Sequence, residues 1–122
     1  MVQQGQGFVR LPPGQKIFTQ GELANSIFFI SSGRVKLSLS INGESKTIVV
    51  LDQGEFFGEH CLGYSPYRQI TATTLEATTL IQIDKDDMAQ ALKVQPTLRE
   101  AFIRNLIDRK FALEKLRLPL DP

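Results

Sequence analysis

Residues 54–72 read GEFFGEHCLGYSPYRQITA, and the strand-like halves of the chain are arranged on either side of them. Glycine and proline break this stretch too often for a plain strand or a long helix. At its centre Phe56-Phe57-Gly58 runs into Glu59-His60-Cys61-Leu62, enough residues to close one helical turn. A glycine leading into such a turn aims several backbone N–H groups at one point, which suits an anion. Arg68 follows and would bring a planar fork of donors to a phosphate. Glu59 would repel a phosphate, so facing a ligand it should face hydroxyl groups, as a ribose offers. Together these residues describe a receptor for a sugar phosphate whose phosphate carries little charge. The alternative makes Gly58 a turn residue, Glu59 a solvated charge and Arg68 a surface strand residue.

Working toward the N-terminus, the turn Asp52-Gln53-Gly54 follows a strand from Lys46 to Leu51. Asn42-Gly43 before it is a two-residue hairpin signal. Val35, Leu37, Leu39 and Ile41 alternate with Arg34, Lys36, Ser38 and Ser40, a strand with one wet face. The unbroken apolar run Ile27–Ile30 predicts a strand buried on both faces. Lys16–Thr19 and Phe8–Leu11 are two further short strands, parted by Pro12-Pro13-Gly14. Residues 1–7 are polar and glycine-rich and are expected to be loose.

Toward the C-terminus, residues 69–74 and 78–83 are strands rich in threonine and isoleucine. Short strands at near-regular spacing indicate a small sandwich or barrel. The period then changes. Asp84 is a helix N-cap, Asp86 and Asp87 fall in the first turn, and Met88, Ala91 and Leu92 form the buried stripe. Pro96 suits the first position of another helix. From Thr97 to Leu118 neither glycine nor proline intervenes, which allows roughly six turns at ~3.6 residues each. Phe102, Leu106, Leu113 and Leu116 recur at spacings of three and four, with Arg109 at the missing step. This spacing predicts the seam of a two-stranded coiled coil, hence a homodimer; the alternative is that the stripe packs on the chain's own β-domain. Leu98, Ala101 and Ile103 are left to cover the β-domain.

Composition removes several functions. The 122 residues suit one domain, and 42% hydrophobic against 22% charged residues indicates a globular chain. A net charge of +1 gives no general drive toward nucleic acid. One cysteine and one histidine exclude an internal disulfide, a multi-thiolate or iron–sulfur site and a multi-histidine metal site. No set of nucleophile, base and orienting group can be named, so the chain is not read as an enzyme. A metal-dependent cupin, which needs a histidine cluster, fits poorly. No apolar run approaches a membrane span and the N-terminus lacks a signal-peptide pattern, so a cytoplasmic location is expected.

Gly14, Ile17, Phe18, Gly21, Phe29, Ile30, Gly33 and Val35 resemble the opening pattern of cyclic-nucleotide-binding domains. Phe57-Gly58-Glu59 and Arg68 resemble that family's phosphate-binding cassette. The chain thus looks like the sensor half of bacterial transcription regulators of the catabolite activator and fumarate–nitrate regulator superfamily, over Phe8 to Leu116. The resemblance implies a mainly β fold with C-terminal helices: an eight-stranded jelly roll (a double-stranded β-helix) over residues 8–95 and a long dimerisation helix over 96–118. Gly58 and the amides of His60 and Cys61 would approach the cyclic phosphate. Glu59 would hold the ribose 2′-hydroxyl, and Arg68 would pair with the phosphate. The effector would be cyclic AMP, cyclic GMP or a related small anion, with no covalently bound cofactor. Two positions depart from the pattern. Gln69 and Ile70 replace a small residue and alanine after the arginine, and His60 and Cys61 replace an aliphatic and a small residue after Gly-Glu. Gln69 either donates to the phosphate or crowds it. His60 is a titratable contact or a structural loop residue, and Cys61 a small buried residue or an exposed redox sensor. The departures also fit a degenerate pocket retained only for dimerisation. The superfamily's helix-turn-helix domain is absent from these residues, so DNA would be contacted only through a domain outside this chain. Either a truncated regulator or a stand-alone sensor is expected.

Overall fold

The computed structural model describes residues 7–63 and 65–116, with the side chains of the last helix described as far as Arg109. Eight strands occur among them: β1 (Gly7–Leu11), β2 (Lys16–Phe18), β3 (Ser26–Ser32), β4 (Val35–Ile41), β5 (Glu44–Leu51), β6 (Phe56–Phe57), β7 (Thr71–Thr74) and β8 (Thr78–Asp84). They form two four-stranded sheets, ordered β1-β8-β3-β6 and β2-β7-β4-β5, with every pairing antiparallel. A 3-10 turn, Glu59–Leu62, follows β6, and helices α1 (Lys85–Val94) and α2 (Pro96–Leu116) follow β8. This is the jelly roll with C-terminal helices that the sequence led us to expect.

Local chemistry accounts for the boundaries. Asn42 and Gly43 take φ of 53° and 83°, the positive values that a tight hairpin between β4 and β5 requires. Asp84 caps α1 by accepting from the amides of Asp86 and Asp87. Pro96 opens α2. The strand β6 was not anticipated: its two residues are too few for any period, and Phe56 and Phe57 become a strand only by pairing with Phe29 and Phe28 of β3.

Two apolar clusters share β3. Phe28 and Ile30 enter the core between the sheets with Phe18, Val35, Leu37, Leu51, Phe57 and Leu80. Ile27 faces the other way, into a cluster with Phe56, Met88 and Phe102 that seats both helices. The run Ile27–Ile30 is therefore covered on both sides, as its composition predicts. The site of greatest interest lies where the clusters meet, at the end of β6.

Candidate functional site: the cassette and its link to the last helix

Gly58 ends β6 with φ of 83° and ψ of 19°, a left-handed conformation, and turns the chain into the one-turn helix. A Cβ there would stand 2.8 Å from Arg68 Nη1 and 3.4 Å from the Ser26 carbonyl oxygen, so both conformation and space demand glycine. The loop after the turn is strapped down by backbone bonds. Arg68 N donates to the Glu22 carbonyl at 2.7 Å, Gly21 N to the Arg68 carbonyl at 2.8 Å, and Ala24 N to the Pro66 carbonyl at 2.7 Å.

Arg68 is 5% exposed. Its Nη1 donates to the Gly58 carbonyl at 2.9 Å and its Nη2 to the Ser26 carbonyl at 2.7 Å. The guanidinium carbon lies 4.0 Å from the centroid of the Phe18 ring, a cation–π contact. Phe18, Phe28 and Phe57 pack against one another with centroids 5.3 to 5.9 Å apart, which makes the aromatic floor beneath the arginine. Nε is buried without a partner. Burial pulls the guanidinium below its ordinary pKa, opposed by Cys61 when ionised and by Glu59 and Glu22. Arg68 therefore fastens the cassette to β3 through both terminal nitrogens.

The neighbouring residues divide similarly. Cys61 is half-buried, and its thiol donates to the carbonyls of Gly58 and Ser26, the same pair that Arg68 holds. Burial raises its pKa, against the lowering effect of Arg68 and Lys85. Gln69 is exposed, and its amide donates to Ser65 Oγ and the Tyr67 carbonyl, both at 3.1 Å, so it braces the loop. Ile70 packs on the core between the sheets. His60 Nδ1 lies 3.9 Å from Glu59 Oε2 with the ring well exposed.

Glu59 reaches the last helix. Its Oε1 accepts from Arg109 Nη1 at 2.9 Å, with side chains 19% and 7% exposed. Arg109 Nη2 also donates to the Phe56 carbonyl and, at 3.3 Å, to Asn105 Oδ1. Asn105 Oδ1 accepts from Phe56 N at 2.7 Å, and its amide donates to Glu55 Oε1 at 3.3 Å. One turn of α2 thus satisfies both polar backbone groups of Phe56 and the carboxylate that follows it in the cassette.

The described part of the helix stripe makes contacts within the chain. Phe102 is buried against Phe56, edge to face at 5.2 Å, and Leu106 packs on the same cluster. With Arg109, these residues pack against the chain's own β-domain. Leu98 does so too, but Ala101 and Ile103, expected on that side, are exposed. The side chains of Leu113 and Leu116 lie outside the described residues. Sequence reasoning missed Asn105 and the Glu59–Arg109 pair. The signal was a cation inside an apolar stripe, which calls for a buried acid as partner, with a second polar residue one turn earlier.

A jelly roll whose short β6 delivers Gly-Glu into a one-turn helix, with an arginine held across from it, is the architecture of a cyclic nucleotide-binding domain. Residues 8–95 match the cyclic nucleotide-binding domain, and the chain belongs to that family. Among curated relatives, it is 31% identical over 86 residues to the cyclic AMP receptor protein of Thermus thermophilus, covering 70% of this chain and 40% of the relative. It is 32% identical over 95 residues to a cGMP-dependent protein kinase of Eimeria tenella, covering 78% of this chain and 9% of the kinase. The chain thus spans less than half the length of these relatives. Among solved structures, the catabolite activator protein of Thermus thermophilus superposes with a TM-score of 0.77 at 28% identity, over 94% of this chain and 54% of that one. The regulator CLP of Xanthomonas campestris, described as c-di-GMP responsive, shares the fold with a TM-score of 0.83 at 20% identity, over 90% of this chain and 56% of that one. Among the described residues no helix is long and apolar enough to cross a membrane, and no three His, Cys, Asp or Glu residues gather to hold a metal ion.

Proposed function

We propose that the chain is the ligand-sensing and dimerising module of a bacterial transcription regulator, with a cyclic nucleotide or related small anion as effector. The observation that carries this reading is the Glu59–Arg109 pair, which joins the cassette to α2. Binding shifts an equilibrium only if the ligand interacts differently with its two states. A ribose hydroxyl taken up by Glu59 would change the acceptor available to Arg109, and so the seating of α2. The phosphate would draw Arg68 away from the carbonyls of Gly58 and Ser26. A cyclic phosphodiester carries one negative charge, which one arginine can balance. Dimerisation falls to the outer side of α2, where Ile103 and Ile107 stand one turn apart and are each 48% exposed.

A second reading is a degenerate pocket kept for dimerisation. It is favoured by Arg68, whose two terminal nitrogens are already engaged by backbone, and by Gln69 bracing the loop. Calorimetry separates the two readings. The sensor reading expects saturable binding of cyclic AMP or cyclic GMP, and a Glu59→Ala loss that is larger for the ribo- than for the 2′-deoxy nucleotide. Gln69→Ser should strengthen binding where the glutamine crowds the phosphate. Absence of heat with both nucleotides, in a folded dimer, supports the degenerate pocket.

A further inference from the structure

A concavity of about 670 Å³ lies on the outer face of the β2-β7-β4-β5 sheet, and neither Glu59 nor Arg68 lines it. Strand register sets its floor. Val35 and Leu37 of β4 enter the core, so Lys36 and Ser38 occupy the opposite face. Thr73 of β7 pairs with Lys16 on one side and Lys36 on the other, and Thr71 pairs with Ser38. The two lysines start from strands about 10 Å apart, twice the usual spacing, a gap that their stems can close over a single anion. Among the described residues neither lysine is in an ion pair, and no carboxylate lines the concavity.

The remaining polar groups favour donation. Gln20 Oε1 accepts from Ser40 N at 3.0 Å, which leaves its amide nitrogen as the free end. Thr71 Oγ1 accepts from Gln20 N at 3.0 Å, which leaves its hydroxyl proton to donate. In both groups the acceptor is used within the protein and a donor remains, beside two ammonium groups.

We propose that this face binds a phosphate monoester that also carries hydroxyls, a sugar phosphate. Its dianion sits over Thr73 between Lys16 and Lys36, and its hydroxyls meet Ser38, Thr71 and Gln20. The site differs in charge from the cassette, which carries Glu59, whereas no carboxylate lines this face. It does not depend on the cassette reading.

The test is amide NMR of the chain titrated with ribose 5-phosphate, with ribose and inorganic phosphate in parallel. Saturable shifts confined to residues 16–21, 36–40 and 71–73 are expected, with ribose silent and inorganic phosphate weaker. The double variant Lys16→Gln/Lys36→Gln should lose about tenfold in affinity or more, with the rest of its spectrum unchanged. Added salt should weaken binding. Several outcomes would overturn the proposal: no saturable shift, shifts that survive the double variant, or shifts at residues 58–62 instead. An equal response to inorganic phosphate would reduce the face to a bare anion site. A response to an acidic peptide alone would make it a protein-docking surface.

Discussion

Removing the Arg109 head group should loosen α2 from the cassette without emptying a hydrophobic pocket. Arg109→Met keeps an apolar stem of similar reach but deletes the donors to Glu59, the Phe56 carbonyl and Asn105. An unsatisfied buried acceptor costs about 1–3 kcal/mol, and breaking a fully buried ion pair about 3–5. Glu59 keeps 19% exposure, so water recovers part of that second term, and the whole change should cost about 2–4 kcal/mol. For a domain of this size that lowers Tm by about 8–16 °C. Glu59→Gln retains an acceptor and should cost about 1 kcal/mol. The informative quantity is their coupling in a double-mutant cycle by urea unfolding, expected at about 1.5–3 kcal/mol. Amide exchange should quicken more in the 105–116 part of α2 and at Phe56 than in the β1–β8 ladder. A coupling below about 0.5 kcal/mol would mean that the two side chains are independent, and the proposed route from cassette to helix would fall with it.

Three further predictions concern the same region. Gly58→Ala should destabilise by about 2–3 kcal/mol, from the left-handed backbone plus the approach to Arg68 Nη1, and Arg68→Ala by at least as much, because it leaves the Gly58 and Ser26 carbonyls with only the weak Cys61 thiol as donor; thermal unfolding reads both, and a neutral Gly58→Ala would contradict the cassette geometry. Burial raises the Cys61 thiol in the folded chain, so the unfolded chain ionises first: stability is full below the free thiol value of about 8.5 and declines as pH climbs from there through the folded value. Cys61→Ser should lose that alkaline decline, and native Cys61 should alkylate more slowly at pH 8 than in urea. Ile103→Glu with Ile107→Glu should yield folded monomers in sedimentation equilibrium, whereas Leu106→Glu should unfold the chain; a persistent dimer in the first variant would move the contact off this side of α2.

Much of the fold was legible because its cues are local. The alternation through Val35–Ile41, the Asn42-Gly43 turn, the cap at Asp84 and the proline at 96 each act within a few residues of themselves. The cassette glycine was legible too, since a glycine before a short turn announces a conformation that other residues resist. What the local pattern left open was which side of α2 meets which surface. The spacing of Phe102, Leu106 and Arg109 defines a stripe but says nothing about what lies opposite. Only the folded chain brings β6, some fifty residues earlier in sequence, beneath that stripe. Likewise, Arg68 was legible as a cation near Gly58, yet its direction depends on the Ser26 carbonyl and the Phe18 ring, which come from two other strands or their flanks. A periodic pattern determines faces within an element; the pairing of those faces is decided by long-range packing, where the acceptors for a buried guanidinium come from segments far apart in sequence.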